Sequence, residues 1–403
     1  MQLFADKKWV PATRAWVPNL EQLAVLRHLQ TAVPAFYRAI EQAYLQFDWV
    51  RDFYNFGKPQ ALIEHQMHAA VRNILPPVMR PDLLITENGF ALCELDSVPG
   101  GIGQTAALER EFLAGTQIPE HFQKSLGAGT RKNVAVVISE ESAVYRPEME
   151  YLLAGTSIKI VPAETLRVNE QGVFDAAGTR LDVIYRFFEL FDLPNLGDCQ
   201  KLPLAVERGN VVVLPPMRVF QEEKLSLALL WHPHLADFWQ KAVPANDLQL
   251  LKKIVPETWI LGDARAGTPI LKNLSQKQRA QFVLKASGFS PLAWGARSVV
   301  IGADCSAAEW ERALSAIENQ NETLYVCQRY CKPCKVEAVG GNAPFARARI
   351  CPYYFYYDGN AHWAGTLATF CPLDKKIIHG MSVASLTCAF VEKTCNGFVV
   401  GSK

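Results

Sequence analysis

The sequence predicts a mixed α/β (α+β) fold with more than one packed unit, and three observations carry that prediction. The middle of the chain runs strand, helix, strand through Val134–Ile138, Arg146–Leu153 and Ile158–Val161. A long stretch near the N-terminus repeats its apolar residues three and four apart. Runs rich in β-branched and aromatic residues, bounded by turn formers, recur at 82–96 and 350–357. With 403 residues, 49% of them hydrophobic and 20% charged, the chain is long enough to close two or three lobes around separate cores.

Taken in order, residues 1–130 form a first unit. From Leu20 to about Ile74 the apolar positions Leu23, Leu26, Leu29, Val33, Phe36 and Ile40 mark one face of a helix. A hairpin at Asp82–Asp96 follows, and a Gly-rich corner, Pro99-Gly100-Gly101-Ile102-Gly103, leads into a helix over Thr105–Leu113. Residues 131–200 read as a small parallel α/β unit, its strands Val134–Ile138, Ile158–Val161 and Val183–Tyr185 separated by the helix Arg146–Leu153. Residues 201–403 make the last unit. It holds a strand at Asn210–Leu214, a helix from about Glu222, a strand at Phe282–Lys285, a helix at Ala307–Glu318, a strand at Leu324–Tyr330, and Tyr- and Phe-rich strands around Ile350–Tyr357.

Composition excludes several classes of function. The formal charge is +1, from 41 basic and 40 acidic side chains, so no basic field exists for nucleic acid. No apolar run approaches the roughly 20 residues of a membrane span, and Met1–Lys8 lacks a signal-peptide block, so a cytoplasmic protein with reduced thiols is expected.

The strongest chemical signal is the hairpin Arg80-Pro81-Asp82 to Glu94-Leu95-Asp96, which carries acids at both ends of an otherwise largely apolar segment. If Glu87-Asn88-Gly89 is a three-residue loop, Asp82 falls opposite Glu94, and Asp96 shares their face. A two-residue loop at Asn88-Gly89 sends Asp82 to the other face. Three carboxylates on one half-buried face repel unless a cation sits between them, and magnesium, with its preference for hard oxygen ligands, is the natural candidate. Arg80 could then neutralise a transferring phosphoryl group. Ordinary solvent-facing acids on an exposed sheet face are the competing reading.

A second signal is Phe282-Val283-Leu284-Lys285-Ala286-Ser287-Gly288, followed by Trp294-Gly295 and the run Ser298–Gly302. A lysine ending a strand can reach nucleotide phosphates, and a Gly-bearing loop can close over them. A surface lysine beside an ordinary hairpin reads the same way. Leu324–Tyr330 supplies a further strand, and Lys224 opens a helix.

Together these segments resemble the circularly permuted ATP-grasp proteins related to glutathionylspermidine synthase. In that family the hairpin carries Arg-x-Asp and Glu-x-Asn; here Arg80-x-Asp82 and Glu94-x-Asp96 stand in their place, with Asp96 where Asn is usual. The resemblance implies a permuted ATP-grasp fold with a small pre-ATP-grasp-like domain. It implies ATP with two Mg2+ ions, metal ligands Asp82, Glu94 and Asp96, and a transition-state arginine at Arg80. Lys285, Ser287 and Gly288 would meet phosphates, Gln328, Arg329 and Tyr330 would line the adenine pocket, and Lys224 would touch the nucleotide. The implied reaction is ligation of a small-molecule carboxylate to an amine through an acyl phosphate, catalysed by Arg80 and Lys285. The acids precede the lysine strand by about 200 residues, which is the permuted order.

Two alternatives stay open. A non-catalytic ATP-binding sensor or scaffold could keep the same fold. Cys327-x3-Cys331-x2-Cys334 has the spacing of the four-iron cluster in radical SAM enzymes, although strand-like alternation there argues for buried free thiols. The Gly100–Gln104 corner could offer N–H groups to an anion or be a tight turn, and His379 could touch phosphate or sit satisfied in a core.

Overall fold

Asn19 starts the longest helix, Leu20–Gln46, through a capping box with Gln22. The six apolar positions expected on its inner face are all buried. The helical pattern does not run unbroken to Ile74. It divides into Leu20–Gln46, Asp48–Asn55 and Gln60–Met67, because Gly57 turns left-handed (φ +72°) and Pro59 forces an extended entry to the third helix. The computed structural model describes residues 9–263, 265, 267–293, 297–340, 343–378, 383–394 and 397–399.

The central sheet runs in the order Val10–Pro11, Ser385–Cys388, Asn360–Cys371, Phe345–Tyr357, Val78–Thr86, Gly89–Asp96, with Val336–Glu337 added beside Phe345–Tyr357. It therefore joins the acidic hairpin to strands near the other end of the chain. Period-two alternation gives it two apolar faces. Leu83, Ile350 and Phe370 pack with Leu26 and Phe36 of the long helix. Tyr353, Phe355 and Leu367 pack with Ile102 and Phe122 from the helices Ile102–Phe112 and Ile118–Ser125.

The expected parallel unit is present, in the order Lys159–Pro162, Val134–Ile138, Val183–Phe187, Val212–Leu214, all parallel. Its last strand lies beyond residue 200, so this sheet extends to Leu214. A third sheet, antiparallel, has the order Thr258–Ile260, Tyr325–Arg329, Phe282–Ala286, Val300–Ile301. The helix Ala307–Glu318 covers it, and Trp310 and Leu314 pack on Phe282, Leu284 and Cys327. The whole is a mixed α/β structure. No helix among the described residues is long and apolar enough to cross a membrane.

Candidate active site

The three sheets meet at a cleft of about 570 Å³ lined by residues from each of them. The acidic hairpin forms one wall. Its turn differs from both expected loops: Thr86 pairs with Gly89 across Glu87-Asn88, and the register holds down to Leu83 opposite Leu92. Cys93 is then the extra residue of a bulge, after which Asp82 lies opposite Glu94 and Arg80 opposite Asp96. The facing of the acids is as expected, but the bulge rather than the turn produces it.

The protein itself supplies the cations that three neighbouring carboxylates require. Arg80 donates from Nε to Asp82 Oδ1 at 2.8 Å and from Nη2 to Asp96 Oδ2 at 2.9 Å. Arg349 donates to Asp82 Oδ2 at 3.0 Å, and the Cys351 thiol donates to Oδ1 at 3.3 Å. Burial alone raises the Asp82 carboxyl, yet Arg80 and Arg349 hold it below the usual range. Burial raises Asp96, assisted by Asp82 and Glu94, against the pull of Arg80. Glu94 is paired with Lys224 at 2.6 Å.

These pairings bear on the metal. Among the described residues no three His, Cys, Asp or Glu side chains are gathered as a metal-binding group. Asp82, expected to be a ligand, has both oxygens engaged by guanidinium and thiol donors and its side chain is only 6% exposed. Glu94 and Asp96 open to the cleft, with side chains 42% and 30% exposed. Magnesium is commonly held by one or two carboxylates plus phosphate oxygens and waters. Asp96 is likewise engaged, by Arg80 and by the Val98 N–H at 2.9 Å, and Glu94 and Asp96 are the more exposed of the three acids.

The opposite wall carries the lysines. Lys285, near the end of the strand Phe282–Ala286, donates to Gln328 Oε1 at 2.8 Å, and Gln328 donates to Thr258 Oγ1 at 3.0 Å. Lys285 also reaches the Cys93 carbonyl at 3.4 Å across 192 residues of sequence. Lys224 enters the cleft from the foot of the helix Leu225–Trp231. Gly288 lines the cleft beside it, so close to Glu223 that a Cβ there would lie 2.6 Å from the Glu223 Cγ.

Some expected nucleotide contacts are otherwise engaged. Ser287 is fully buried, donates to Glu223 Oε2 at 2.7 Å and accepts from the Leu225 N–H at 2.9 Å. Glu223 is paired in turn with the buried Lys58 at 2.5 Å. Ser287 thus ties the lysine strand to its neighbours and does not line the cleft. Arg329 lines the cleft, but its guanidinium is held by Gln281 and Glu257 and lies over the Trp259 and Phe282 rings. Tyr330 lines the cleft beside Gln328 and is fixed by its N–H bond to the Gln281 carbonyl at 2.8 Å.

The Gly-rich corner does receive an anion, from within the chain. Glu148 accepts from the Gly101 N–H at 2.7 Å and the Gln104 N–H at 3.2 Å, at the start of the helix Ile102–Phe112. Burial raises its carboxyl to about 7 against those donors. The cysteines of the iron-cluster spacing point to different surroundings. Cys327 is buried with Leu284 and Trp310, Cys334 packs against the core of the long helix, and Cys331 lines the cleft. His379 and Trp294–Ala296 lie outside the described residues.

Sequence reasoning missed Arg349 and Glu189. Arg349 alternates with buried Ala348 and Ile350 on its strand, a charge pattern that marks the face toward the hairpin. Glu189 follows Phe187-Phe188 just past a parallel strand, the end at which open α/β sheets bind ligands.

No protein-family model matches the chain, and no curated protein matches it. Among solved structures it is similar to one from Methylobacillus flagellatus KT that bears the provisional name gamma-glutamylcysteine synthetase. That likeness has a TM-score of 0.47 and 12% identity, and covers 92% of this chain and 88% of that one.

Proposed function

We propose that the chain is an ATP- and magnesium-dependent carboxylate–amine ligase of the permuted ATP-grasp type. The observation that carries this reading is the convergence of Lys224, Lys285, Arg80 and Arg349 with the open acids Glu94 and Asp96 in one cleft. These groups come from separate stretches of the chain, and cations standing beside open acids suit a triphosphate with its metal. The acids precede the lysine strand in sequence, the order of the permuted branch.

In this reading Glu94 and Asp96 hold Mg2+, which when bound neutralises charge on the terminal phosphates. Lys285 is kept extended toward the cleft by Gln328 and donates to a phosphate. Lys224 exchanges Glu94 for phosphate oxygens as the nucleotide arrives. Arg80 and Arg349, locked by Asp82, present fixed positive charge to the transferring phosphoryl group. A substrate carboxylate attacks the γ-phosphorus and releases ADP, and an amine then displaces phosphate from the acyl phosphate to give an amide. Tyr330 and the end of the Tyr325–Arg329 strand line the adenine side.

The test is ADP release by the purified protein with Mg-ATP across panels of carboxylates and amines, beside Lys285→Met and Glu94→Gln. Turnover that requires a carboxylate and disappears in both variants is the expected result. Absence of nucleotide binding in the unaltered protein defeats the proposal.

A further inference from the structure

The Gly-rich corner carries polar side chains that the protein leaves without partners. Gln104 stands in the first turn of the helix Ile102–Phe112 and lines the cleft, yet it is only 2% exposed. Among the described residues neither its Oε1 nor its Nε2 has a hydrogen-bond partner. The Ser97 hydroxyl, which also lines the cleft and is 1% exposed, has none either. Buried amides and hydroxyls are normally paired, because an unmade hydrogen bond away from water leaves the cost of desolvation uncompensated.

This wall is tied to the chemistry proposed above. Ser97 directly follows Asp96, whose carboxylate accepts the Val98 N–H at 2.9 Å. Arg80 spans the corner, donating from Nη2 to Asp96 and from Nη1 to the Gly100 carbonyl, both at 2.9 Å. Tyr353 donates to the same carbonyl at 2.9 Å, and a Cβ on Gly100 would lie 2.5 Å from a Tyr145 ring carbon. The Gly101 and Gln104 N–H groups both donate to Glu148. The backbone of the corner is thus held in place, while the side chains of Ser97 and Gln104 stay unpaired beside Arg80, across the cleft from Lys285 and Lys224.

We propose that Gln104 and Ser97 are specificity residues for the carboxylate substrate, and that this substrate is a hydroxy acid whose hydroxyl lies close to the reacting carboxylate. The proposal rests on the ligase reading above. A hydroxyl has one donor and two acceptor sites, the complement of one unfilled acceptor, Gln104 Oε1, and two unfilled donors, Gln104 Nε2 and the Ser97 hydroxyl. A second carboxylate would fill the donors but set its charge against Oε1, and an alkyl chain would fill none of them. A carboxamide offers the same functions from two separate atoms and is the rival that the test separates. A site built to hydrogen-bond a substrate hydroxyl rejects the analogue that lacks it, because its own buried polar atoms are then left unpaired.

The test uses hydroxylamine, an uncharged nucleophile that intercepts acyl phosphates, as a general acceptor, so that only the acid varies. The kcat/KM for ADP release with Mg-ATP is measured for acids of matched length that carry a hydroxyl, a carboxamide or only hydrogen near the carboxylate. The unaltered protein is expected to favour the hydroxy acid over the alkyl acid about 100-fold or more. Gln104→Leu and Ser97→Ala are each expected to lower that preference about 10-fold or more. Leu fills much the same space and removes unpaired polar atoms, so Gln104→Leu should melt at or above the temperature of the unaltered protein. Lower melting means that groups of the protein hold Gln104, and overturns the proposal. No preference in the unaltered protein, a preference for the carboxamide acid, or a preference that survives Gln104→Leu also overturns it and leaves the ligase reading standing. If no acid yields ADP, the ligase reading falls and this proposal with it.

Discussion

Replacing Asp82 with Asn separates two roles that the sequence cannot tell apart. As a metal ligand, Asp82 would be a repelled carboxylate whose neutralisation costs no stability and raises the magnesium requirement. As the structure has it, Asp82 is an almost fully buried anion clamped by Arg80 and Arg349. Removing one partner of a buried pair leaves charge without compensation and costs about 3–5 kcal/mol. In a chain of 403 residues that corresponds to a fall in Tm of about 4–6 °C. The sign with pH follows from the lowered carboxyl. Its stabilisation is present above the usual carboxylate range and is lost as pH falls through the native value. The gap between D82N and the unaltered protein is therefore widest at neutral pH and closes on strong acidification. Thermal melts from neutral pH down to about pH 3, with magnesium titrations of nucleotide binding beside them, test this. A D82N protein that melts like the parent while needing more magnesium would falsify the clamp and return Asp82 to the metal.

The remaining predictions concern neighbouring parts of the same cleft. Lys285→Met removes one charge-assisted donor and is expected to weaken ATP binding about 10- to 100-fold by calorimetric titration, with little change in melting. Ser287→Ala should do the reverse, costing about 1–3 kcal/mol of stability in denaturant melts because Glu223 and the Leu225 N–H lose a buried partner, while ATP affinity changes little. Glu148 carries a carboxyl raised from near 4.5 to about 7, so protonation favours the native state and stability falls as pH rises across that interval, by about 3 kcal/mol. Urea melts at pH 5 and pH 8 should show the fall, and Glu148→Gln should reduce it, with the buried Glu189 carboxyl, also raised to about 7, supplying a remainder of the same sign.

What could be read from the sequence was whatever local geometry decides. Acids on two strands of one hairpin face each other by strand pairing alone, so Arg80, Asp82, Glu94 and Asp96 were legible together. The turn was not, because Asn88-Gly89 fits more than one loop and the compensating residue, Cys93, lies inside the strand where nothing in its type marks a bulge. Ser287 failed for a related reason. Two residues past Lys285 it should share the lysine's face, but the strand ends at Ala286 and the chain turns into Glu223.

The other limit is electrostatic, and it concerns what satisfies a charge. Three carboxylates in one place demand positive charge, and the sequence offered only a metal and Arg80 nearby. Arg349 lies 267 residues from Asp82 and reaches it because its strand pairs with Val78–Thr86, bringing Arg349 opposite Leu84. Glu148 likewise fills the Gly101–Gln104 corner from 47 residues away. In both cases the local residues are met by a side chain that only the tertiary fold could bring.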